Sequence, residues 1–203
     1  MRGPAWAPSM SGMERPPIAL GRHRPPASRG FTAIELMVVV AIMAILAALA
    51  APSFTPIIER WRVGQAIGGL ESTLYYARSE AIKRGGNVTI SKLANNTNGC
   101  TTAGGTNDWG CGWIVCEDTN GNGSCGASEP VLQRFDAPTR LEITRSSGGE
   151  NIALNRWGVI TGTWVGFTVI PQGKTLSGPA AKGVCVSSGG RVRIEASPPC
   201  TSG

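Results

Sequence analysis

Between Phe31 and Ala51 the chain runs for 21 residues with a single charge, Glu35. At about 1.5 Å per residue a helix of that length reaches across the roughly 30 Å hydrocarbon core of a bilayer. An ionised acid at the centre of such a helix costs on the order of 3 kcal/mol, and membrane carboxylates have partners. A cut between Gly30 and Phe31 supplies one, because the new amine of Phe31 is positive and within reach of Glu35 in the same chain or in a neighbour. An ordinary secretory signal would end at a small-residue site such as Ala48-Leu49-Ala50. This run, however, exceeds the usual 7–15 apolar residues, contains an acid and follows a long polar leader.

The net charge of +6 is unevenly placed. Residues 1–30 hold Arg2, Arg15, Arg22, Arg24 and Arg29 against Glu14 alone, so most of the surplus lies in the leader. Arg22, Arg24 and Arg29 directly before the apolar run keep the leader cytoplasmic and send the rest outward. The expected location is therefore the inner membrane, crossed once, with a periplasmic C-terminal domain. His23, the only histidine, also falls in the leader. The chain beyond the leader has no means of building a Ser/His/Asp triad, a Cys/His dyad or a His-ligated zinc site, and a non-enzymatic role is expected.

Beyond Pro52 the apolar pattern narrows to one side. Val63, Ile67, Leu70, Leu74, Ala77 and Ala81 recur at helical spacing, with charged residues on the other faces. One helix is predicted from Phe31 to about Arg84, bent at Pro52, which lacks a backbone donor, and stopped by Gly85-Gly86. Short strands are predicted over 87–92, 112–116, 131–135, 141–144, 152–154, 165–170, 183–186 and 192–194. The fold class is α+β, a long N-terminal helix packed on an antiparallel β-sheet domain. Four segments result: a leader (1–30), a transmembrane or filament-core helix (31–51), its amphipathic continuation (52–84) and a β-rich globular domain (85–203).

Gly30, Phe31, Glu35 and Pro52 resemble the cleaved glycine, N-methylated first residue, assembly glutamate and kinking proline of the type IV pilin family and its pseudopilin relatives. The stretch Trp109-Gly110-Cys111-Gly112-Trp113, the loop from Asp118 to Glu129 and the ending Gly183-Val184-Cys185-Val186 with Gly190-Arg191-Val192-Arg193 are similar to its FimT/FimU and general-secretion H-type branch. The resemblance implies cutting by a prepilin peptidase, methylation of Phe31, and extraction from the membrane into a filament with other pilins or pseudopilins. It implies a minor pilin of the priming complex at a pilus tip; the alternative is an H-type pseudopilin of a type II secretion machine.

Six cysteines, Cys100, Cys111, Cys116, Cys125, Cys185 and Cys200, all lie beyond the apolar run. In an exported domain they read as disulfides with 15 formal connectivities. Cys185–Cys200 is the expected pair, since it closes the C-terminal segment while the other four cluster apart. Asp118, Asn120, Asn122 and Glu129 satisfy the spacing of a calcium loop. The flanks read as strands, though, and Asn-Gly-Asn-Gly is what a hairpin needs for positive φ, so a structural hairpin is the expectation and calcium the alternative. No other cofactor is expected.

Arg191 and Arg193 have the same parity in a strand, about 7 Å apart on one face, a spacing suited to adjacent phosphates. Gly-Arg-x-Arg is similar to the segment implicated in DNA binding by some FimT-type minor pilins. With Lys174 and Lys182 it makes a candidate site for double-stranded DNA without sequence specificity. The competing reading is a solvated edge strand whose arginines deter aggregation. Trp109, Trp113, Trp157 and Trp164 read as core residues in preference to a stacking platform, and Trp61 as an interfacial anchor.

Overall fold

Helix α1 spans Ala33–Ala50 and is apolar all round. The computed structural model describes residues 30–50, 54–146 and 148–201, so Pro52 and its expected bend lie outside the described residues. The chain divides into two units, Met1–Ile45 and Leu46–Gly203. From Ala33 to Leu49 every residue of α1 is exposed, Ile34, Met37 and Leu49 each by more than 70%. Its 18 residues span about 27 Å at 1.5 Å each, and among the described residues no helix is long and apolar enough to cross a membrane. The helix starts two residues later than expected because Thr32 acts as its N-terminal cap. Two helical stretches are described, on either side of residues 51–53, which lie outside the described residues.

Helix α2, Thr55–Arg84, begins with Pro56 in its first turn, where a missing N–H costs nothing. It ends at Gly85, whose φ of 73° needs no Cβ penalty, while the Gly86 N–H bonds back to the Ala81 carbonyl at 2.8 Å. All six residues of the predicted stripe are buried. In the last turn Arg84 pairs with Glu80 at 2.8 Å and with Glu117 of the sheet, fastening the helix end to the domain.

Eight strands complete the chain: β1 Val88–Lys92, β2 Trp113–Glu117, β3 Val131–Phe135, β4 Leu141–Arg145, β5 Asn151–Leu154, β6 Val165–Pro171, β7 Lys182–Val186 and β8 Val192–Glu195. They form two four-stranded antiparallel sheets, ordered β3-β2-β1-β5 and β4-β6-β7-β8. One apolar core joins the α2 stripe to both sheets, centred on Trp109, Trp113 and Phe167. Trp109 meets Phe167 edge-on at 5.1 Å between centroids, and Trp113 stacks on Phe135 at 4.6 Å. Gly69 makes this packing possible, since a Cβ there would collide with the Phe135 ring.

Arg145, at the end of β4, is buried and has no carboxylate partner among the described residues. Its Nη1 donates to the carbonyls of Gly148, Gly149 and Asn151 at 3.0, 3.0 and 2.6 Å, and its guanidinium lies 5.9 Å from the centre of the Trp109 ring. Burial pushes its pKa down to about 10. The side chain holds the turn between β4 and β5 by main-chain oxygens alone.

Candidate functional site

The start of α1 is built by a reciprocal pair. The Glu35 N–H donates to Thr32 Oγ1 at 3.2 Å, and the Thr32 N–H donates to Glu35 Oε2 at 3.5 Å. This is a capping box, in which the side chains of the cap residue and of the third helical residue each satisfy the other's orphan N–H. The acid also sits in the first turn, where the helix dipole favours negative charge. Gly30 and Phe31 precede the helix in irregular backbone, and Phe31 is 86% exposed. Thr32 is a helix cap that the sequence reasoning passed over, although Thr-x-x-Glu ahead of an apolar run is a legible cap signature.

The four candidate cations do not share one face. Arg193 stands opposite Cys185, and Ser187 exchanges hydrogen bonds with Arg191, so the arginines share the face turned away from the core. Both are exposed, and Arg193 Nε pairs with Glu195 at 2.7 Å. Lys182 stands opposite the buried Val169 and lines a groove beside α2 with Arg60, Glu71 and Ile194. Lys174, in the loop before β7, lies 3.7 Å from Glu59 of α2. Lys182 therefore lies on the opposite face of the sheet from the arginine pair, and Lys174 lies in a loop against α2.

In the 118–129 loop the carboxylates turn inward. Asp118 accepts from the Asn122 and Gly123 N–H groups at 3.0 and 2.7 Å. Glu129 accepts from Gly126 at 2.7 Å and from Asn120 and the Thr119 hydroxyl at 3.3 Å. These bonds, that to Gly126 foremost, hold the Glu129 carboxyl below the usual range. Gly121 and Gly123 adopt positive φ, and Cys125 is joined to Cys116 of β2. Geometry, glycines and disulfide describe a pinned hairpin loop whose acids serve its own amides. Among the described residues no cluster of three or more His, Cys, Asp or Glu side chains is arranged for a metal.

The other disulfides are Cys100–Cys111 and Cys185–Cys200. Of the tryptophans, Trp109 and Trp113 are core, Trp164 is half-buried, and Trp61 is exposed on the first part of α2. Trp157 corrects the core expectation. It sits in the turn after β5, 67% exposed, because Gly158 and not the indole is the residue placed against α2.

Residues 66–190 match the family described as Type II transport protein GspH, and residues 26–51 match the prokaryotic N-terminal methylation motif. Over 83 residues the chain is 40% identical to Fimbrial protein Q of Moraxella bovis, covering 39% of this chain and 52% of that protein. Over 71 residues it is 41% identical to a Fimbrial protein of Pseudomonas aeruginosa, covering 35% and 46%. The chain spans about half the length of the curated relatives it matches. A crystal structure of the type IV minor pilin FimU of Pseudomonas aeruginosa shares the fold, with a TM-score of 0.50 at 22% identity over 67% of this chain and 90% of that one. With more than half its residues inside one family match and the methylation motif leading into α1, the chain belongs to the type IV pilin-like family described as Type II transport protein GspH, a family of structural subunits and not of enzymes.

Proposed function

We propose that the chain is a minor pilin of the FimU kind, cut after Gly30, methylated on Phe31 and assembled with other pilins at the start of a pilus. The observation that carries this is α1: an 18-residue apolar helix, exposed from Ala33 to Leu49, that bears one acid, Glu35, at its start. Such a surface is stable only in lipid or among other apolar helices. A single inner-membrane pass with a periplasmic domain, followed by transfer into a filament, supplies both environments in turn. Exposure of Gly30 and Phe31 outside the helix supports access by a prepilin peptidase. The test is the mass of the mature N terminus together with filament incorporation of Glu35→Ala. A product starting elsewhere than Phe31, or normal incorporation of the variant, overturns the reading.

The GspH description of the family match favours a second reading, an H-type pseudopilin of a type II secretion system. Deletion separates them: loss of twitching supports the pilus, loss of exoprotein export the pseudopilus. A further part of the proposal is contact with duplex DNA. Arg191 and Arg193 stand exposed on one sheet face, a spacing that suits neighbouring phosphates of any sequence. Arg191→Ala with Arg193→Ala should weaken duplex binding and flatten its salt dependence; unchanged retention on DNA removes this part.

A further inference from the structure

The start of α2 turns apolar residues outward. Phe54, Ile57, Ile58 and Trp61, at the i, i+3, i+4, i+7 spacing of one helix face, are between 44% and 62% exposed. Phe54 stands about two and a half turns before the buried Val63, so this face points away from the core. Beside it Ile58 and Arg62 line a hollow of about 240 Å³ that is bounded by Arg140, in the connection from β3 to β4, and by Pro171 at the end of β6. Two arginines from different elements therefore line one hollow, with an exposed apolar side chain at its edge. Glu59 is the acid in its lining, and Lys174 lies 3.7 Å from that carboxylate. Among the described residues neither Arg62 nor Arg140 is ion-paired.

We infer that this end of the domain binds the headgroup of an anionic phospholipid, with Arg62 and Arg140 on the phosphate and Phe54, Ile57, Ile58 and Trp61 among the glycerol and upper acyl groups. A planar guanidinium fork matches phosphate oxygens, and an aromatic and aliphatic face beside basic residues suits the boundary between lipid and water. Chain length supplies the membrane. Thr55 follows Ala50 by five residues, a reach of at most about 18 Å by any path. With α1 in the bilayer, the start of α2 therefore stays close to the headgroups. An acidic peptide would satisfy the arginines and leave the apolar face in water, whereas a lipid satisfies both. The inference rests on the proposed membrane pass of α1 and adds a lipid class that the pass by itself does not require.

The experiment titrates phosphatidylglycerol, phosphatidylcholine or inorganic phosphate into the full-length chain in a non-ionic detergent. It follows the emission of Trp61, taken as the difference between wild type and Trp61→Phe, so that lipid held by the leader's arginines does not enter the signal. Phosphatidylglycerol should shift this emission to the blue, phosphatidylcholine should not, and molar salt should weaken the response. A basic residue at an anionic membrane surface is worth about fivefold in affinity, so Arg62→Ala with Arg140→Ala should weaken phosphatidylglycerol binding about 25-fold. Arg62→Lys with Arg140→Lys keeps both charges and should retain most of it. Equal responses to the two lipids, or wild-type binding by the alanine pair, overturn the inference. An equal shift with inorganic phosphate also overturns it, because the hollow is then an anion site without a lipid. Alkaline extraction of membranes carrying the chain tests the other reading separately: a chain that washes off sinks the membrane pass, while one that stays without preferring phosphatidylglycerol sinks only the lipid site.

Discussion

Trp113 donates its indole N–H to the hydroxyl of Thr73, 2.9 Å away, with both side chains buried where α2 meets β2. A tryptophan in a core brings one polar hydrogen with it, and α2 supplies the acceptor from its buried stripe. Thr73→Val keeps the shape and removes the acceptor, stranding the N–H at a cost of about 1–3 kcal/mol. Thr73→Ser should recover most of that loss. Urea unfolding of the full chain in detergent, followed by tryptophan fluorescence, measures both.

The glycines of α2 should divide sharply. A Cβ at Gly69 meets the Phe135 ring, whereas at Gly64 and Gly68 nothing lies within 4 Å. Gly69→Ala should destabilise by about 1–3 kcal/mol through overpacking. Gly64→Ala and Gly68→Ala should each stabilise by about 0.5–1 kcal/mol, because alanine orders at lower entropic cost in a helix. Three thermal melts decide it, and a uniform response would contradict the packing described.

The 118–129 loop should loosen in acid. The folded Glu129 carboxyl is held below its ordinary value, chiefly by the Gly126 N–H. Its stabilisation is therefore complete above the unfolded pKa of about 4.3 and is lost as pH falls through the lower folded value. Hydrogen exchange at Gly126 and Asn120 should accelerate in that acidic window, and Glu129→Gln should remove the dependence. Calorimetry with millimolar calcium should show no heat, since the carboxylates already serve the loop's own amides.

Removing the Cys185–Cys200 bridge should lower stability by about 3 kcal/mol, the loop-entropy value for its separation of 15 residues. Paired replacement by serine tests it through the urea midpoint. Because Arg193 lies opposite Cys185, the duplex binding proposed for Arg191 and Arg193 should fall in parallel.

Local pattern makes much of this fold legible. The α2 stripe, its glycine stop and all eight strands come from helical and alternating spacing within short windows. Strand partners do not, because pairing is non-local: Val88 of β1 meets both Glu117 and Leu154, so the division into two sheets is invisible to a window of ten residues. The arginine pair is readable from parity, whereas the placement of Lys182 on the opposite face depends on its register with Val169. Trp157 defeats the core expectation because composition favours burial of an indole, and only the turn geometry around Gly158 turns it outward. The Thr32 cap is present as a signature, overshadowed by the membrane cost of the glutamate it pairs with.

Arg145 gives the domain an unequal response to protonation. A cation coordinated by amide oxygens has no counter-ion for acid to neutralise, so the turn it holds should keep its shape when the Glu129 hairpin has let go. Unfolding at low pH should consequently proceed from one side of the molecule, with the β4–β5 corner the last to yield.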